Sequence, residues 1–184
     1  SGAMRDMVQN HLMQLICLIA MEPPYHFDPN AVRDEKLKVI RALQPVAPED
    51  IVRGQYLGQK GAPGYVEDSE NPDSKTESYI ALKVQVSNWR WQGVPFYLRT
   101  GKRMPRRVTE IVIQFRAVPH SIFAGKGATM QPNSLVIGIQ PEENITLSLM
   151  AKVPGLDREG IRLRSVPLNI AMPDAFSGAV RRIA

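Results

Sequence analysis

The sequence predicts an α+β fold, a large, mostly antiparallel sheet with helices packed on one side. Two helical patterns fill residues 1–44, apolar alternation with a period of two sets in after residue 76, and strand-like runs then succeed one another with no helical pattern between them. Strands that follow one another without crossover helices pair antiparallel, and the helices gather on one face.

The elements can be placed in order. Met4, Met7, Val8, Leu12, Leu15, Ile16 and Ile19 recur at helical spacing and predict a first helix within residues 1–22, which Glu22-Pro23-Pro24 ends because proline cannot continue it. Asp28-Pro29-Asn30 is a capping start for a second helix, 31–44, with Val32, Leu37, Ile40 and Leu43 as its apolar stripe and Pro45 and Pro48 closing it. Residues 56–75 are rich in Gly, Pro, Asn, Asp and Ser and read as an ordered loop. Tyr79–Val86 alternates apolar and polar, and further strands are expected at Pro95–Arg99, Thr109–Arg116, Ser134–Ile139, Ile145–Lys152 and Ile161–Pro167, giving a sheet over 76–168. Residues 173–184 begin another helix and stop within it, so the chain is expected to be one incomplete domain, cut at both ends.

Composition narrows the class. Of 184 residues 43% are hydrophobic and 22% charged, which excludes disordered and fibrous chains. The most apolar stretch, Leu12–Met21, is half the roughly 20 residues that span a bilayer, and it lacks a signal peptide's basic flank. A single cysteine, Cys17, sits in that stretch and is expected to be a buried thiol in a cytoplasmic protein. The net charge of +5 favours anionic partners. Arg99, Lys102, Arg103, Arg106 and Arg107 crowd into one segment, a grouping that suits phosphate as well as a solvated basic loop. Trp89, Trp91 and Phe96 beside them fit core packing or base stacking.

His11 lies on the apolar side of the first helix between Met7 and Leu15, where it is either a satisfied core histidine or a general base at a cleft wall. Asp6, five residues earlier, stands about 140° away around an α-helix, so the two do not share a stripe. Gln140 closes a strand before Pro141, reaching a pocket or capping a turn. There is no Gly-x-Gly-x-x-Gly opening a helix, no P-loop and no zinc-type Cys/His cluster.

Taken together, longer blocks carry a family resemblance. Arg5-Asp-Met-Val-Gln-Asn-His-Leu12, Ala20-Met-Glu-Pro-Pro24, Arg33-Asp-Glu-Lys36, Val52-Arg-Gly-Gln-Tyr56 and Asn88-Trp-Arg-Trp91 come in order, followed by Gly93-Val-Pro-Phe-Tyr-Leu-Arg-Thr-Gly-Lys-Arg103, Ile139-Gln-Pro-Glu142 and Lys152-Val-Pro-Gly155. Over nearly its whole length the chain resembles the bacterial-type glucose-6-phosphate dehydrogenases, in the part that follows their coenzyme domain. The resemblance implies that His11 is the base taking the proton from the C1 hydroxyl of glucose 6-phosphate while hydride passes to NADP, or NAD. It implies that Asp6, Lys102, Arg107 and Gln140 bind the sugar phosphate, and that the domain serves both substrate and homodimer or homotetramer formation through the sheet.

The family's dinucleotide-binding domain and its Arg-Ile-Asp-His-Tyr-Leu-Gly-Lys block are not in this sequence, so the chain alone is expected to be inactive, with no cofactor-binding residues of its own. Some animal members hold a second, structural NADP on the sheet with basic and aromatic residues. The matching positions here are Val108, Val112, Gly138, Thr146 and Ser148, which implies that this second NADP is absent. No metal, nucleic-acid or membrane partner is expected. The alternative is a non-catalytic antiparallel-sheet oligomerisation domain.

Overall fold

The first helix is wound in two registers. In the computed structural model, which describes residues 2–59, 61–120, 130–155 and 162–172, Met4–Leu12 forms a π-helix and Met13–Ala20 continues it as α1. The amide of Met13 accordingly donates to the carbonyl of Val8, five residues back. Helix α2 runs Pro29–Ala42; the Asp28 carboxylate caps it by accepting from the amides of Asn30 (2.9 Å) and Ala31 (3.1 Å), and Pro29 occupies the first turn, where its missing N–H costs nothing.

The chain divides into two compact units, residues 1–104 and 105–184. In the first, strands β1 (Ile51–Gly54), β2 (Tyr79–Gln85) and β3 (Pro95–Gly101) form an antiparallel sheet in that order, with Leu82 opposite both Ile51 and Leu98. Every second residue of β2 is buried, as one covered face requires. Ile80, Leu82 and Val84 meet Val8, Ile16, Cys17 and Ala20 of the first helix and Val39 of α2 in a single core, so the helices lie on one side of this sheet. A one-turn helix, α3 (Tyr65–Asp68), stands within the loop expected at 56–75.

Both ends of the first helix are tied to the sheet. At its start the amide of Ala3 donates to the Glu77 carbonyl (3.0 Å) and that of Met4 to the Glu77 carboxylate (2.9 Å). At its finish the Trp91 indole N–H donates to the Ala20 carbonyl (3.0 Å), and Trp91 packs edge-on against Phe96 over the core. Arg90 adds a two-pronged ion pair to Glu22, 2.7 Å at each contact, but both side chains are more than half exposed. A pair so exposed is screened by water and contributes little, far less than the packing of Trp91.

The second unit holds an antiparallel sheet of β4 (Thr109–Gln114), β5 (Ser134–Gln140), β6 (Asn144–Lys152) and β7 (Leu163–Ala171), in sequence order. The strands expected over 76–168 thus fall into two hydrogen-bonded sheets, one in each unit. Strand β1 was not expected, since four residues ending in glycine carry little alternation. Strand β7 runs four residues beyond the expected stop at Pro167. It is the edge of the sheet, and there a proline without an N–H is tolerated opposite Ser148.

One further expectation is corrected. Leu37 and Ile40 of the α2 stripe are 41% exposed, and the helix turns Ala31 and Val39 to the interior instead. Cys17 is buried as expected, and burial raises its thiol pKa although Lys36 opposes the shift. The helix expected at 173–184 lies outside the described residues.

Because Ile80 is fully buried at the centre of the core, Ile80→Ala should lower stability by about 2–5 kcal/mol in urea unfolding. Arg90→Gln, which breaks only the exposed ion pair, should cost far less. The reverse ranking would contradict this account of what fixes the helix.

Candidate active site

Where the π-helix meets the ends of β2 and β3, the first unit has a cleft of about 220 Å³ lined by Asp6, Met7, Tyr65, Glu77, Gly101 and Lys102, among others. Asp6 and Lys102, 96 positions apart in sequence, are brought to one wall system by the docking of the helix start against β3. Glu77 sets that distance: its carbonyl and carboxylate hold the helix, while its neighbour Ser78, 2% exposed, accepts the Lys102 amide at its carbonyl (2.9 Å) and the Tyr56 amide at its hydroxyl (3.0 Å).

Gly101 is required at the strand end, since a Cβ there would lie 2.7 Å from the Tyr79 ring. Lys102 follows it, exposed, and Arg103 turns the chain with a positive φ of 54°. Arg103 is committed elsewhere: it ion-pairs with Asp68 (2.8 Å), donates to the Pro63 carbonyl, and stacks 4.4 Å over the Tyr56 ring. The Tyr56 hydroxyl also donates to Asp68 (2.6 Å), a bond that raises its pKa above the usual phenol value. Sequence spacing groups Arg103 with the phosphate-seeking cations; only the acid on α3 marks it as neutralised.

His11 is exposed, which overturns the core-histidine reading and its placement on the apolar side of the helix. The π register is the reason. With i→i+5 bonding there are roughly 4.4 residues per turn, so Asp6 and His11 stand about 50° apart rather than 140°, one turn above the other on neighbouring faces. Asp6 is itself exposed and lines the cleft, and His11 lies one turn beyond it.

Arg107 and Gln140 belong to the second unit. Gln140 is the last residue of β5, paired with Thr109, and Arg107 precedes Thr109 by two residues, so both exposed side chains sit at one end of the β4–β5 ladder. Among the described residues no group of three or more His, Cys, Asp or Glu side chains is arranged to hold a metal ion, and no helix is long and apolar enough to cross a membrane.

A family model described as "Glucose-6-phosphate dehydrogenase, C-terminal domain" matches residues 1–183. The chain belongs to that family. It is 53% identical to the glucose-6-phosphate 1-dehydrogenase of Zymomonas mobilis, aligned over the whole of this chain and 39% of that protein. With the enzyme of the same name from Rhizobium meliloti it shares 51% over 96% of this chain and 37% of that protein. A solved structure of a glucose-6-phosphate dehydrogenase in complex with its substrate glucose-6-phosphate superposes with a TM-score of 0.85 at 39% identity, covering 96% of this chain and 36% of that one. The corresponding enzyme of Mycobacterium avium gives 0.80, also at 39% identity, over 93% and 35%. The chain therefore spans about two fifths of the length of the curated relatives it matches.

The Glu77 carboxyl pKa lies below its ordinary 4.5, chiefly because it accepts the Met4 amide. A lowered carboxyl stabilises the fold above its unfolded value, and that contribution fades as pH falls through the lower folded value. The stability gap between wild type and Glu77→Gln, measured by thermal melting, should be full above the ordinary carboxyl pKa and shrink as pH falls below it. A gap independent of pH would remove Glu77 from the account of how the helix is held.

Proposed function

We propose that this chain is the sugar-binding part of an enzyme that oxidises D-glucose 6-phosphate to 6-phospho-D-glucono-1,5-lactone, with NADP as hydride acceptor. The observation that carries the reading is the cleft that gathers Asp6 and Lys102 at the start of the helix that bears His11, in a chain of this family. A carboxylate accepts from sugar hydroxyls, an ammonium is suited to an anionic substituent, and a solvent-accessible imidazole can take a proton near neutral pH.

In this reading His11 removes the proton of the C1 hydroxyl, so that the electron pair of the C–H bond can leave C1 as hydride and the ring carbon becomes a lactone carbonyl. Asp6 orients the sugar hydroxyls and Lys102 meets the substrate's negative charge. Arg107 and Gln140 are assigned to the sugar phosphate from the family pattern, and their position at one ladder end in the second unit is compatible with a shared role. The described residues do not fit the coenzyme: both sheets are antiparallel, and no described helix joins parallel strands in the crossover that cradles a dinucleotide. The coenzyme, and the choice of NADP over NAD, belong to the portion that the relatives have beyond this chain.

Assembly into a homodimer or homotetramer through the sheet and a cytoplasmic location are part of the same proposal. So is the lack of a second, structural NADP. Val112 and Thr146 lie in one row of the second sheet with Val136 and Asn169, while Gly138 pairs with Glu110 and Asn144, and Ser148 with Ser134. These rows bear an acid and no cation, which gives an anionic dinucleotide little purchase.

His11→Ala in the full-length protein should lower kcat by roughly 10²–10⁴-fold while the KM for glucose 6-phosphate changes little. A near-normal kcat would return His11 to the status of a surface histidine. Equilibrium titration of the full-length protein with NADP should give one site per subunit, and a second site that adds thermal stability would contradict the reading of the sheet face.

A further inference from the structure

The neutralised arginine beside Lys102 is not used by the reaction, yet its guanidinium is anchored by Asp68, the Pro63 carbonyl and the Tyr56 ring. Arg103 holds φ at 54°, a left-handed conformation that non-glycine residues keep only where their surroundings hold them there. Its guanidinium reaches α3 and the preceding loop through Asp68 (2.8 Å) and the Pro63 carbonyl, with the Tyr56 ring beneath it. Tyr56 in turn donates to the same Asp68 oxygen and meets Tyr65 edge-on at 5.6 Å, and Tyr65 lines the cleft. The loop wall and the turn that carries Lys102 are thereby fastened as one piece.

We propose that Arg103 is a positioning residue. Resting on the functional reading above, it touches no substrate; its clamp on Tyr56, Asp68 and Pro63 holds the left-handed turn that aims Lys102 into the cleft and keeps the Lys102 amide on the Ser78 carbonyl. An arginine is needed because two hydrogen bonds leave one planar group that also stacks on a ring, whereas a lysine ammonium is a point charge without a fork. Were Arg103 there to attract the anionic sugar, its charge would not be spent on Asp68.

The test uses the full-length protein with Arg103→Ala, Arg103→Lys and the milder Tyr56→Phe, which keeps the ring and removes only the hydroxyl. Steady-state kinetics and hydrogen exchange at the Lys102 amide are both read. Arg103→Ala and Arg103→Lys should each raise the KM for glucose 6-phosphate roughly tenfold, with kcat within about twofold and the coenzyme KM unchanged. Exchange at Lys102 should quicken by a similar factor, and Tyr56→Phe should move both readouts the same way by less. A lysine that restores wild-type KM and exchange would show that charge alone suffices and would overturn the clamp. Unchanged exchange in Arg103→Ala would overturn it too. If the wild-type protein does not oxidise glucose 6-phosphate, the functional reading fails, and the exchange data still decide whether Arg103 holds the turn.

Discussion

The anchoring of the first helix across β2 and β3 is the constraint from which the rest of the site follows. One carboxylate at its start and one indole at its finish satisfy backbone groups that a helix terminus leaves open, and each belongs to the sheet or its turns. Between those ties the core residues Val8, Ile16, Cys17 and Ala20 press on Ile80, Leu82 and Val84. The apolar contact supplies most of the energy, while the polar ties decide register.

That register matters because the side chains proposed to meet the substrate lie on two different elements. Asp6 rides on the helix and Lys102 on the turn after β3, so a shift of one helical turn would separate them by about 5.4 Å. The π winding adds a second adjustment. It brings His11 around toward the side of Asp6 without lengthening the helix, and π turns of this kind occur frequently at functional sites.

Much of this architecture was legible in the sequence, and for physical reasons. A half-covered strand must alternate, and β2 does so from Tyr79 to Gln85; Asp28-Pro29 announces α2 because capping chemistry is local. Nothing local in the sequence says that Asp6 and Lys102, 96 positions apart, line one cleft. What escaped is non-local or unmarked. No residue pattern distinguishes a π turn from an α turn, so His11 was placed on the apolar side it does not occupy. Strand β1 is too short to show a period, and Leu37 and Ile40 fit an amphipathic stripe although the fold turns Ala31 and Val39 inward. Arg103 read as one more cation because its partner, Asp68, comes from a loop 35 residues away.

The proposed chemistry depends on the cleft that the anchored helix makes with the Lys102 turn. A crystal structure of the full-length protein with glucose 6-phosphate tests this directly. It should show the sugar within hydrogen-bonding reach of Asp6 and Lys102, with the His11 imidazole turned toward C1. Sugar density on another surface, with Asp6 and Lys102 facing solvent, would contradict it.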